Sequence, residues 1–153
     1  MATLKGLTKN VGEYVWITPY ADIKEFPTYR DEGGAEVVLS EQWREIGFRV
    51  KYPSMKIINN LSIRSFRSYA VRGTSEMRKE FDPERLADFI AKEIIKEWEN
   101  VEGEGGSSAP YDPAFMKAEF MKSQFLLNEF ITHYQSVGES AASDAEVASE
   151  DFL

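Results

Sequence analysis

Hydrophobic and polar positions alternate most cleanly at residues 48–52, where Phe48, Val50 and Tyr52 point one way and Arg49 and Lys51 the other. This period of two predicts a half-buried strand, ended by Pro53. Upstream, the β-branched and aromatic stretch EYVWIT at 13–18 predicts a strand stopped by Pro19. Residues 21–30 are ambiguous, with Pro27 favouring an edge or irregular segment; Asp31-Glu32-Gly33-Gly34 is a turn signal, and 35–39 is a further candidate strand. Ser40 is placed to cap a short helical turn, EQWREI, ended by Gly47.

The period then changes. Ile58, Leu61, Ser65 and Tyr69 fall at helical spacing behind Ser54 as N-cap, predicting a helix over 54–71 broken at Gly73. Asp82 followed by Pro83 and Glu84 is a strong helix start. Leu86, Phe89 or Ile90, Ile94, Trp98 and Val101 run down one face, predicting a helix ending near Asn100. Residues 102–109, EGEGGSSA, read as a flexible hinge. Asp112-Pro113 then starts a last helix by the same device. Its apolar set, from Phe115 and Met116 through Phe120, Leu126, Leu127 and Phe130 to Tyr134 and Val137, is too broad for a narrow stripe; Gly138 is placed to stop it. The small, polar and acidic residues 138–153 predict a disordered tail. Together these elements predict an α+β fold, mainly α-helical. A small N-terminal β portion over about 1–53 precedes three helices over 54–137, in a single globular domain 1–137.

Composition narrows the chemistry. The 153 residues include 10 Phe, 7 Tyr and 3 Trp, enough to build a core without staples, and no cysteine, which removes disulfides and thiolate metal sites. The N-terminus has no signal-peptide-like apolar run and no stretch approaches membrane-spanning length, so the expected location is the cytoplasm, with no membrane partner. Net charge is −8, unevenly spread: residues 44–79 carry a net +7 and residues 80–104 a net −6. The simplest account is internal, with the basic middle facing the acidic segment that follows; an acidic chain repels phosphate over a distance, which argues against nucleic acid.

Candidate catalytic groups are sparse. His133 is the sole histidine and has no cysteine to join it in a zinc site. Glu93, Glu97 and Glu99 suit a charged helix face and lack the Glu-x-x-His pattern of a di-iron bundle. Gly33-Gly34 and Gly105-Gly106 are not followed by Lys-Ser/Thr, so there is no phosphate-binding loop, and no Gly-x-Ser-x-Gly occurs. The expectation is a non-enzyme without cofactor, metal or small-molecule substrate. Trp98 has two readings: a core anchor, or part of a partner groove beside the 102–109 connector.

The order of features over about 48–137 carries a resemblance. The extended GFRVKYPS leads into a helix. DPERLADFIAKEIIKEWENV follows, then a Gly-rich connector, and PYDP opens an aromatic-rich helix. This resembles the tail assembly chaperones of long-tailed bacteriophages and prophages, with Trp98 to Val101 matching a Trp-x-x-Val-like element and Pro110 to Pro113 the following helix start. The resemblance implies a non-catalytic protein that binds the tape measure protein in the host cytoplasm. It would keep that protein soluble while the tail tube protein, a second potential partner, polymerises, and would be absent from the mature virion. Many such proteins also exist in a longer, frameshifted form. The implied partner-binding residues are Trp98, Val101, Tyr111, Phe120, Phe125 and Phe130; a homo-oligomer is left open. The alternatives are a structural virion component of the head–tail joining or tail-terminator type, and a small regulatory or nucleic-acid-binding protein using the basic segment 44–79.

Overall fold

A computed structural model describes residues 13–150, with side chains through Glu139. The expectation of a small β region followed by three helices is overturned: strands are interleaved through most of the chain with four helices. In chain order the elements are β1 (Tyr14–Ile17), β2 (Thr28–Arg30), β3 (Glu36–Val38), β4 (Gly47–Lys51), α1 (Met55–Arg64), β5 (Phe66–Ala70), β6 (Met77–Phe81), α2 (Pro83–Phe89), β7 (Ile95–Glu99), α3 (Pro113–Lys122) and α4 (Gln124–Glu150). Strands β1, β4 and β7 form an antiparallel sheet with β4 in the centre; β2–β3 and β5–β6 are separate two-stranded ribbons.

The N-terminal strands follow their sequence signals. Phe48 and Val50 are fully buried, whereas Arg49 and Lys51 lie on the outer face. Asp31 accepts from the backbone N–H of Ala35 and, with Gly34 at φ 78, closes the β2–β3 turn. Ser40 caps the 3-10 turn Glu41–Glu45, which buries Trp43.

The first correction concerns 54–71. The helix begins behind the Ser54 cap but ends at Arg64. The Ser65 hydroxyl turns back to the Leu61 carbonyl, and the Ser65 carbonyl accepts from the Asp82 N–H at 2.7 Å, which directs the chain into β5 and its ladder with β6. The apparent helical period had relied on Ser65 as an apolar position, and a Ser is better placed at a helix end than inside one.

The second correction is larger. The predicted helix 83–100 is an α-helix only to Phe89; Ile90–Ile94 form a π-turn, closed by the Ile95 N–H on the Ile90 carbonyl, and Ile95–Glu99 is strand β7. The register of β7 on β4 pairs Ile95 with Val50 and Trp98 with Phe48, with a bulge that leaves Lys96 unpaired. The extra residue places Ile95 and Trp98, three apart, on the same face. A bulged strand behind a π-turn thus reproduces the spacing of a helix.

The last predicted helix is two. Ser123 is extended (φ −131, ψ 104) and separates α3 from α4. The break explains the broad apolar set: α3 buries Met116 and Phe120, and α4 buries Leu126, Leu127, Phe130 and Tyr134. Gly138 does not stop α4. A Cβ there would lie 3.2–3.3 Å from Pro53, so the glycine serves close approach of the helix to the end of β4. The side chains of the expected tail beyond Glu139 lie outside the described residues.

The core is aromatic at its centre. Phe48 meets Phe130 edge-to-face at 5.7 Å, Phe130 meets Phe120 at 5.7 Å, and Tyr20 packs on Trp43 and Phe48. Two buried phenols add polar ties: Tyr20 donates to the Leu126 carbonyl at 2.7 Å and Tyr134 to the Lys51 carbonyl at 2.6 Å. Charge pairing follows the expected segments in part, with Arg49 on Glu97 at 3.2 Å and Arg67 on Glu80 at 2.9 Å. Between α2 and α3, Asp88 faces Lys92 and Lys117; the hydrogen bond from Lys92 holds its carboxyl below the usual range.

Two outcomes follow. Phe130→Ala removes the ring shared by three aromatic contacts and should cost roughly 3–5 kcal/mol in urea unfolding; a loss below about 1 kcal/mol would mean that α4 does not seal this core. Burial raises the Tyr20 and Tyr134 phenols above their usual value. The folded state therefore holds these protons more tightly than the unfolded chain. The associated stability is complete below about pH 10 and declines as pH rises through the folded-state values. Tyrosinate absorbance and loss of ellipticity should appear together in alkali; free titration of every tyrosine ahead of unfolding would contradict this packing.

Candidate partner-binding groove

The connector between β7 and α3 is a hydrogen-bonded hairpin rather than an open hinge. Ala109 N–H donates to Val101 O at 2.8 Å and Gly103 N–H to Ser107 O at 2.7 Å, and Glu102 bridges Ser108. Gly105 and Gly106 turn its tip with φ of 82° and 79°, a conformation glycine adopts without steric cost. Its base is set by Asn100, itself left-handed at φ 65, whose side chain donates to Glu45 O at 2.9 Å. Asn is among the few residues that accept this backbone readily.

Trp98 joins the sheet to this connector. Its Nε1–H donates to the Ala109 carbonyl at 2.9 Å, and its ring meets Tyr111 at 5.0 Å and Phe115 at 6.0 Å, both edge-to-face. Tyr111 in turn donates its hydroxyl to the Ala91 carbonyl in the π-turn, and burial raises its phenol above the ordinary value. Asp112 caps α3 by accepting from the N–H groups of Ala114 and Phe115, which fixes where Phe115 emerges. The result is an open, mainly apolar groove of about 490 Å³ lined by Trp98, Val101, Ala109, Pro110, Tyr111, Pro113 and Phe115, with Glu102 and Asp112 also on its wall.

Three of the six sequence-predicted partner residues, Trp98, Val101 and Tyr111, are brought together here. Phe120 and Phe130 are buried in the core and present no surface in this conformation. Phe125 packs on Phe26 at 6.2 Å, away from the groove. Trp98 is half-buried, packs against the core and lines the groove, and it does so from a strand. Phe115, 47% exposed, belongs to the broad apolar set of the last predicted helix and is not among the predicted partner residues; its place three residues after the Asp112 cap, beside Pro110 and Tyr111, is the signal that sets it apart.

Among the described residues no three His, Asp or Glu side chains gather as a metal site, and no helix is long and apolar enough to cross a membrane. Glu97 is engaged by Arg49, and Glu93 lines a separate depression of about 640 Å³ in which Lys51, Lys56 and Arg64 stand beside Glu13, a mixture of signs that selects no charged ligand. No family model, curated protein or solved structure matches the chain.

Tyr111→Phe keeps the ring and strands the Ala91 carbonyl. It should lower unfolding free energy by roughly 1–3 kcal/mol, as for a buried acceptor losing its donor. An unchanged urea midpoint would show that the connector is not tied to the π-turn.

Proposed function

We propose that the protein is a tail assembly chaperone of a long-tailed phage or prophage. In this reading it holds an amphipathic helical segment of the tape measure protein in the groove between β7 and α3. The observation that carries the reading is the aromatic groove itself, with half-buried Trp98 and Tyr111 and exposed Phe115 around an apolar floor at the positions where the sequence resembles such chaperones. Helix-in-groove recognition needs an apolar channel that accepts residues spaced three and four apart. Glu102 and Asp112 on the wall favour a client helix with basic residues beside its apolar stripe.

The role is non-catalytic. A tape measure protein is long and amphipathic, and its apolar stripes associate with one another when they have no partner. A chaperone that covers those stripes acts by mass action alone, requires no nucleotide, and yields the client when tail tube subunits replace it.

Co-expression tests the reading. The tape measure protein of the same phage should be recovered soluble and as a complex with this chain, and aggregate without it. Phe115→Glu, on the exposed lip, and Val101→Asp should each reduce the soluble fraction at least several-fold while circular dichroism stays unchanged. Equal solubility with and without the chain would overturn the proposal, and recovery of the chain in purified virions would favour a structural component instead.

A further inference from the structure

We infer that the β5–β6 ribbon is a dimerisation element, and that two copies of this chain join their β5 strands edge to edge, antiparallel, about a two-fold axis midway between the two Ser68 residues. The inference is independent of the groove. Its starting point is that all ten residues of β5 and β6 are exposed, although Phe66, Tyr69, Met77 and Phe81 are among them. A two-stranded ribbon with both faces in water is marginal on its own. Among the described residues β5 pairs only with β6, so its outer edge has no strand beside it.

The ladder fixes what that edge offers. Asp82 N–H bonds to Ser65 O and Val71 N–H to Glu76 O, so the pairs 65–82 and 71–76 are hydrogen-bonded. Hydrogen-bonded and non-hydrogen-bonded pairs alternate in an antiparallel ladder. Residues 67 and 69 therefore bond inward to β6, and the N–H and C=O groups of Phe66, Ser68 and Ala70 point outward. Arg85 donates to the Phe66 carbonyl at 3.1 Å, which leaves the centre of the edge, at Ser68 and Ala70, facing away from its own ladder.

The sequence of β5 is complementary to itself in one register. With Ser68 opposite Ser68 of the second copy, each Arg67 lies opposite a Tyr69 and each Phe66 opposite an Ala70. No like charges meet, and Arg67 gains an aromatic face. The same alternation places Ser68 in a hydrogen-bonded pair, as the outward direction of its N–H and C=O requires. On one face of the resulting four-stranded sheet, the Phe66–Phe81 pair, edge-to-face at 6.1 Å, is extended by Ala70 and Met77 of the other copy. The two Lys79 side chains on that face are three strand spacings apart, roughly 14 Å, beyond the screening length in physiological salt. The β6 edge lacks this property, because centring it on Lys79 sets Lys79 against Lys79 of the second copy. A second copy is thus the occupant that the β5 edge selects.

Two variants test the pairing in the full-length chain. Ser68→Pro removes an outward N–H without touching the intrachain ladder, so it should abolish the dimer in sedimentation equilibrium and leave circular dichroism unchanged. Ser68→Cys introduces the chain's one thiol at a pair whose Cα separation of about 5.5 Å is within disulfide reach. Mild oxidation should cross-link most of it as a dimer, whereas Lys79→Cys should remain largely monomeric. A wild-type chain that sediments as a monomer up to millimolar concentration, a dimer unaffected by Ser68→Pro, or equal cross-linking of the two thiol variants would each overturn the inference. A ribbon that instead protects its β5 amides from exchange only when the tape measure protein is added would assign the edge to the client and count against the dimer.

Discussion

The antiparallel pairing of β7 with β4 is the constraint on which the rest of the molecule depends. Strand β4 carries Phe48 and Val50 into the core, and without β7 it would be an edge with one side open. To reach it, the chain leaves α2 through a π-turn within five residues, and the bulge at Lys96 then restores the facing of Ile95 and Trp98. Everything after β7 inherits this direction. Asn100 turns the chain, the connector hairpin folds back on Val101, and Trp98 receives the Ala109 carbonyl on its indole N–H.

Irregular backbone leaves carbonyls without partners, and aromatic hydroxyls meet two of them. The Tyr52 N–H bonds to Glu13 O on the β1 side, so by alternation the Lys51 carbonyl faces the β7 side; β7 pairs only as far as Val50, and Tyr134 from α4 supplies the donor. In the π-turn Tyr111 does the same for Ala91. A buried unpaired carbonyl costs about as much as a whole hydrogen bond contributes, so these phenols determine which irregularities the fold can hold. They also explain why a chain with few buried polar groups keeps several tyrosines at positions where phenylalanine would pack equally well.

Much of the first third was legible from period and caps. The Phe48/Val50 alternation, the Ser40 and Ser54 caps and the Asp31–Gly34 turn all act locally, and local signals are what a sequence displays. The errors arose where tertiary pairing overrode a local period. Ile94, Trp98 and Val101 have helical spacing, yet the open side of β4 draws Ile95–Glu99 into a strand. Gly138 has the composition of a helix stop, yet its small size answers to Pro53, 85 residues earlier in the chain. Half of the residues read as partner-binding come together in one groove because Trp98, Val101 and Tyr111 flank one connector. Phe120 and Phe130, which the resemblance implies as partner-binding, are buried in the core on either side of the break at Ser123.

The division of the aromatic residues follows from the same break. With α3 and α4 separated, Phe120 and Phe130 can meet each other and Phe48 at one centre, and the core is satisfied without Phe115. Phe115 is then released to the groove, where the Asp112 cap holds it against Trp98. A continuous helix over 113–137 would have carried its apolar residues around too wide an arc to bury them on one sheet face, leaving core rings in water. One extended serine therefore does two things at once: it closes the core around Phe130, and it leaves Phe115 on the side of α3 that lines the groove. The groove is the remainder of a well-packed core, displayed at the point where the chain changes from strand to helix.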